Sequence, residues 1–148
     1  MRPGHKLPVL FAFLAVLGCF AFETPERSIA ADVQELAPPS ELALLMRSMA
    51  AHADSVKAAL ARKAKLPPYP AGTSALLTAT PTKDMHIDPI AFPAFGKDYQ
   101  LKVDQLYKAS KKDRARAYNA LVQSCANCHG THCPGPLMRI KKMYVKVE

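Results

Sequence analysis

The segment Cys125-Ala126-Asn127-Cys128-His129 constrains this chain more than any other. On a helix, positions i, i+3 and i+4 share one face. Cys125, Cys128 and His129 therefore form one stripe of two thiols and an imidazole. C-x-x-C-H is the attachment site of a c-type haem. In that chemistry the thiols add across the two vinyl groups to become thioethers, and the histidine ligates the iron. A chain carrying such a group has to fold around a flat apolar body, with this helix face turned inward. The same residues leave two other chemistries open. Cys125, Cys128, His129, His132 and Cys133 offer five donors within nine residues, and zinc takes four N/S ligands. Cys125 and Cys128 also have the spacing of a redox dithiol.

The compartment bears on that choice. Arg2 and Lys6 precede an uncharged, mostly apolar run from Leu7 to Phe22. A short basic start followed by such a run is an export signal. At 16 residues the run is short for a membrane-spanning helix, which needs about 20. The expected leader is therefore 1–22. Val16-Leu17-Gly18-Cys19 resembles a bacterial lipobox, which makes a lipid anchor at Cys19 one processing route and plain secretion the other. Cleavage before Cys19 leaves 18 basic against 12 acidic residues, a net charge of +6. The expected location is the bacterial periplasm, with the protein either soluble or tethered as a lipoprotein. Covalent haem attachment takes place outside the bacterial cytoplasm, so export favours haem over zinc. Residues 23–39 mix charges with Pro25, Pro38 and Pro39 and read as a tether. The domain is then 40–148.

Within the domain the apolar spacing is helical. Ser40 is a good N-cap, and Leu42, Leu45, Met46, Met49, Ala53, Val56 and Leu60 recur at threes and fours until Pro67-Pro68 stop the pattern. The spacing predicts a helix over 40–66. Six prolines in 67–96 forbid a long regular element. A short turn is expected at 74–78, and Thr80-Pro81 and Asp88-Pro89 read as cap-plus-N1 starts. Tyr99, Val103, Leu106 and Tyr107 predict a helix over 97–110. A second over 113–129 follows Tyr118, Leu121, Val122, Cys125, Cys128 and His129, antiparallel to the first across a short break. Gly130 to Pro136 is expected to end or bend it. A short basic segment over 137–145 is expected to pack through Leu137, Ile140 and Tyr144. The expected fold class is all-α, a helical bundle of three long helices plus short helical turns.

The motif lies near the C-terminus, on the last long helix, and the first helix carries methionines. This arrangement resembles the class II cytochromes c, four-helix bundles related in architecture to cytochrome c-prime. The resemblance covers residues 40–133. It departs from the family at Gly130-Thr131-His132-Cys133, where an aromatic and a basic residue usually follow the motif. It implies a bundle around one covalent haem c, with Cys125 and Cys128 as thioether positions and His129 as proximal iron ligand. Low-spin relatives place a first-helix methionine on the iron and transfer electrons. High-spin relatives bind small gases such as nitric oxide, and many relatives dimerise.

For the second axial position Met46 is the first expectation and Met49 the second. His52 would give a bis-histidine iron. Met85 and His86 offer a ligand from the proline-rich stretch. His132 lies on the same side of the ring as His129 and is a poor sixth ligand, and Met143 is expected to pack. Cys133 has no intrachain partner once Cys125 and Cys128 hold a haem and Cys19 is lipidated or removed. The expected function is an exported monohaem electron carrier rather than an enzyme. A gas-binding haem protein is one alternative, and a zinc module using Cys125, Cys128, His132 and Cys133 is another. With a net charge of +8 and a pI near 9.5, the expected partners are redox proteins with acidic docking surfaces. Export argues against nucleic acid.

Overall fold

Ser40 caps the first helix as its position after two prolines predicts. Its Oγ accepts a hydrogen bond from the Ala43 amide at 3.1 Å, which satisfies one of the free amides of the first turn. The computed structural model describes residues 38–147. The leader 1–22, the lipobox at Cys19 and most of the tether lie outside the described residues. Helix α1 runs Glu41–Ala61, shorter than the sequence pattern suggests. Lys63 takes a left-handed conformation, φ 52°. The Lys63 amide then bonds back to the Leu60 carbonyl at 3.0 Å and the Ala64 amide to Ala59 at 2.9 Å. These two bonds close the helix as a Schellman motif. The reversal turns Leu66 into the core, where it is buried.

The proline-rich crossover is pinned at several points. A 3-10 turn, Thr73–Leu77, matches the expected short element and buries Leu76. Thr80-Pro81 does not start a helix. The Thr80 amide and hydroxyl both donate to Glu41 Oε2, at 3.0 and 2.8 Å, and its carbonyl accepts from the Leu42 amide at 3.0 Å. These bonds hold the Glu41 carboxyl below its usual range and fasten the crossover to the start of α1. Asp88 behaves as predicted. Its Oδ1 accepts from the Ile90 and Ala91 amides at 2.8 and 2.7 Å, which pulls the Asp88 carboxyl below its ordinary value. Helix α2, Ala91–Lys108, therefore starts well before residue 97. Pro93 sits in its first turn, where a missing amide costs no helical bond. A Cβ on Gly96 would stand 2.5 Å from Leu77 Cδ2, so glycine lets the 3-10 turn close onto α2.

Helix α3, Arg114–His132, follows across a tight turn, Ser110 Oγ donating to Asp113 Oδ2 at 2.6 Å. It passes straight through Gly130, where the sequence suggests a break. It ends at Cys133 (φ −153°), just before Pro134. The tail forms α4, Leu137–Lys141, shorter than the 137–145 segment expected. Ile140 and Met143 are its buried anchors. Arg139 pairs with Asp54 of α1 at 2.7 Å, and the side-chain amide of Asn119 in α3 bonds both backbone groups of Val145, at 2.8 and 3.0 Å.

The described residues are all-helical, with three long helices and no strand, a helical-bundle arrangement. The main packing is α2 against α3, with α1 lying on α3 and on the 3-10 turn, and α4 on α3. Val56, Val103, Leu106, Tyr118 and Val122 have no solvent exposure. Each buried aliphatic side chain of this kind stabilises the fold by about 1.5–3 kcal/mol. The three predicted apolar stripes thus meet in one core. Among the described residues no helix is long and apolar enough to cross a membrane.

Candidate haem-binding pocket

The last two turns of α3 and the first halves of α1 and α2 surround one small, largely apolar pocket that takes in about 360 Å³ up to open solvent. From α3 come Ser124, Cys125, Cys128 and His129. From α1 come Met46 and Met49. Phe92, Phe95, Gly96 and Tyr99 of α2 complete the wall with Leu76. The stripe arithmetic explains the convergence. Tyr118, Leu121 and Val122 commit the inner face of α3 to the core, and the helical spacing carries that face on to Cys125, Cys128 and His129. On α1 the buried Leu42, Ala53 and Val56 fix the face that also bears Met46 and Met49.

His129 is oriented by the helix end. Its Nδ1 lies 2.9 Å from the Cys133 carbonyl. As the carbonyl can only accept, Nδ1 carries a proton, and in the neutral ring that leaves the lone pair on Nε2. This is the arrangement in which a backbone carbonyl fixes the tautomer of a metal-ligating histidine. Burial, and next the neighbouring Cys128, push the Cys125 thiol up to about 11 from an ordinary 9.0. Burial and Cys133 raise the Cys128 thiol as well. A raised thiol value keeps the proton on sulfur. At neutral pH the Cys125 thiolate is then about a hundredfold scarcer than in an unperturbed thiol. Alkylation of Cys125 in the folded, cofactor-free chain is expected to be slow at pH 7 and to rise about tenfold per pH unit up to pH ~10. Peptide mapping of iodoacetamide adducts measures this.

The other sequence candidates lie elsewhere. His52 does not line the pocket. Its Nε2 is 2.8 Å from the Tyr107 hydroxyl, which in turn stands 2.8 Å from the Pro67 and Pro68 carbonyls, and desolvation lowers its affinity for a proton. Met85 packs against the core, His86 is exposed, and Met143 is buried in the tail as expected. His132 is neither exposed nor gathered with the cysteines. Its ring stands edge-on to Phe92 and Phe95, with centroids at 5.8 and 5.7 Å. Both its nitrogens are buried without a hydrogen-bond partner among the described residues. Among those residues no three His, Cys, Asp or Glu side chains stand together as a metal site requires.

The residue types are those that a covalent haem would use. Two thiols, one tautomer-fixed imidazole and two thioethers share an apolar pocket, and an orphaned imidazole at His132 stands beside its aromatic wall. Sequence reasoning missed the Cys133 carbonyl, because a backbone role carries no side-chain signature. It also missed Gly96 and the pocket-wall role of Tyr99, whose positions in the α2 stripe signalled only packing. Comparison of the chain with known protein families, with curated proteins and with solved structures gives no match.

Proposed function

We propose that this chain is an exported monohaem c-type cytochrome, of the cytochrome c-prime-like bundle type, that carries single electrons between protein partners. The observation that carries the reading is the convergence of Cys125, Cys128 and His129 on one apolar pocket that also takes Met46 and Met49 from another helix. When bound, haem c supplies a one-electron iron couple whose potential a Met/His ligand pair raises. Cys125 and Cys128 provide the thiols that tie it to α3. His129 offers Nε2 to the iron, held in place by the Cys133 carbonyl. Met46 would offer the iron a thioether sulfur from α1, and Met49 lines the pocket with it. Phe92, Phe95 and Leu76 give the pocket apolar walls, which would keep water from a bound cofactor. His132 has two uncommitted nitrogens with which to meet a polar edge of the cofactor. The zinc alternative is weaker on geometry, since His132 is turned between two phenylalanines and the four donors are not gathered.

Separate substitution of the two methionines tests the ligand. Met46→Ala is expected to convert a low-spin reduced spectrum into one that shifts on adding carbon monoxide, while Met49→Ala leaves the low-spin bands in place. Low-spin bands unchanged in both variants would remove the first-helix ligand from the account. An unaltered protein that takes up carbon monoxide readily would replace electron transfer by gas binding.

A further inference from the structure

A groove at the far end of the bundle from the pocket carries a strong, unbalanced charge. It encloses about 2020 Å³ up to open solvent. Lys57, Lys63 and Lys65 line it from the last turns of α1 and the chain just after. Lys111, Lys112 and Arg114 line it from the start of α3, and Lys146 from the tail. No carboxylate is among the described residues that line it. Asp113, between Lys112 and Arg114, is engaged by Ser110 and Arg116. Seven cations in one concavity repel one another and raise the local concentration of anions. The Arg114 Nε is buried without a hydrogen-bond partner among the described residues, a further sign of a group waiting for an acceptor.

The shape of the groove narrows the class of anion. Leu60, Ala61, Ala64, Ala115, Val145 and Val147 also line it, so apolar surface lies among the cations. Concavity disfavours a flat bilayer surface. Tyr144 is the sole aromatic among the lining residues, and its hydroxyl is held by Gln123 at 2.7 Å, so there is no run of stacking platforms of the kind that single-stranded nucleic acids use. Cations interleaved with aliphatic residues fit a segment that carries both acidic and apolar side chains. The tail supplies a backbone template for it. Asn119 pairs both backbone groups of Val145, and among the described residues no hydrogen bond uses the backbone groups of Tyr144 or Lys146. A bound segment can hydrogen-bond to those groups.

We propose that this groove binds an acidic, extended polypeptide segment of a partner protein. Arg114 and Cys125 are eleven residues apart on one helix, about 16 Å along its axis. The groove thus serves as an anchor separate from the pocket. No residue of the groove lines the pocket, so the inference stands whether or not the haem reading does.

The test uses the mature chain and a fluorescein-labelled peptide of alternating glutamate and valine, about twelve residues long. Fluorescence anisotropy is expected to give saturable binding that weakens as salt rises. Lys111→Glu with Lys112→Glu should weaken binding about tenfold or more. Lys83→Glu with Lys97→Glu, an equal charge change at exposed sites outside the groove, should shift it by less than about twofold. Circular dichroism on both variants checks that they fold, and Lys65→Glu serves in place of the groove pair should that pair not fold. Equal losses in the two pairs would overturn the groove and leave only net charge. No binding of the peptide would overturn the proposal. So would preferential binding of phosphatidylglycerol vesicles, which assigns the groove to a lipid surface, or of a single-stranded oligonucleotide, which assigns it to nucleic acid.

Discussion

Cys125→Ser together with Cys128→Ser is expected to abolish covalent cofactor attachment, leaving a chain that loses all haem absorbance on denaturation. On the proposed reading the effect should be all-or-none, because both thioethers would arise from this one stripe of α3. Neither Cys133 nor any other described residue offers a thiol in the pocket lining. Each single variant should retain one thioether and hold haem at reduced yield. The double variant also removes two half-buried thiols from an apolar pocket. Serine hydroxyls there can donate to a carbonyl of the preceding turn, as Ser124 does to Leu121 at 2.8 Å, so the fold should lose less than about 1 kcal/mol. Haem staining of denaturing gels reads the first effect and thermal melts read the second. His129→Ala should differ in kind. It keeps both thioethers, so the haem stays on the chain, but the proximal ligand is lost and the spectrum becomes high-spin.

The largest effect on stability is expected at Leu106. This residue has no exposure and lies on the α2 face that packs against α3. Leu106→Ala removes its apolar contacts and leaves a cavity that two long helices cannot easily collapse, at a cost of about 3 kcal/mol. For a domain of this size that lowers the melting temperature by roughly 15 °C. Leu101→Ala on the same helix is the comparison. Leu101 is 52 % exposed, and its truncation should change stability by less than about 0.5 kcal/mol. Circular dichroism melts of the two variants measure the difference. Equal effects would mean that the α2–α3 contact is not the main core.

These expectations rest on features that differed in how plainly the sequence displays them. The three apolar stripes were legible because burial enforces a period of 3.6. The caps at Ser40 and Asp88 were legible because their side chains do the bonding. The end of α1 was not. The Schellman turn there uses Lys63 in a left-handed conformation, a position where glycine is the usual signal. Nor was the passage of α3 through Gly130, which becomes an ordinary helical residue because Cys133 and Pro134, rather than the glycine, stop the helix. Thr80-Pro81 looked like a helix start, yet tertiary bonds to Glu41 and Leu42 took the groups that a helix would have used. Within the pocket, the thiols, the imidazole and the two methionines were readable from residue type and spacing. The Cys133 carbonyl and the wedging of His132 between Phe92 and Phe95 depend on how two helix ends meet, which no local pattern encodes.

The central claim is a haem held covalently through Cys125 and Cys128. Its most direct test is to express the full chain with a haem-attachment system, extract it with acidified organic solvent, and record the absorption spectrum and mass of the peptide that remains. The account predicts that one haem stays with each chain and maps to the peptide containing Cys125 and Cys128. A chain that leaves this treatment at its unmodified mass, with no haem absorbance, would contradict it.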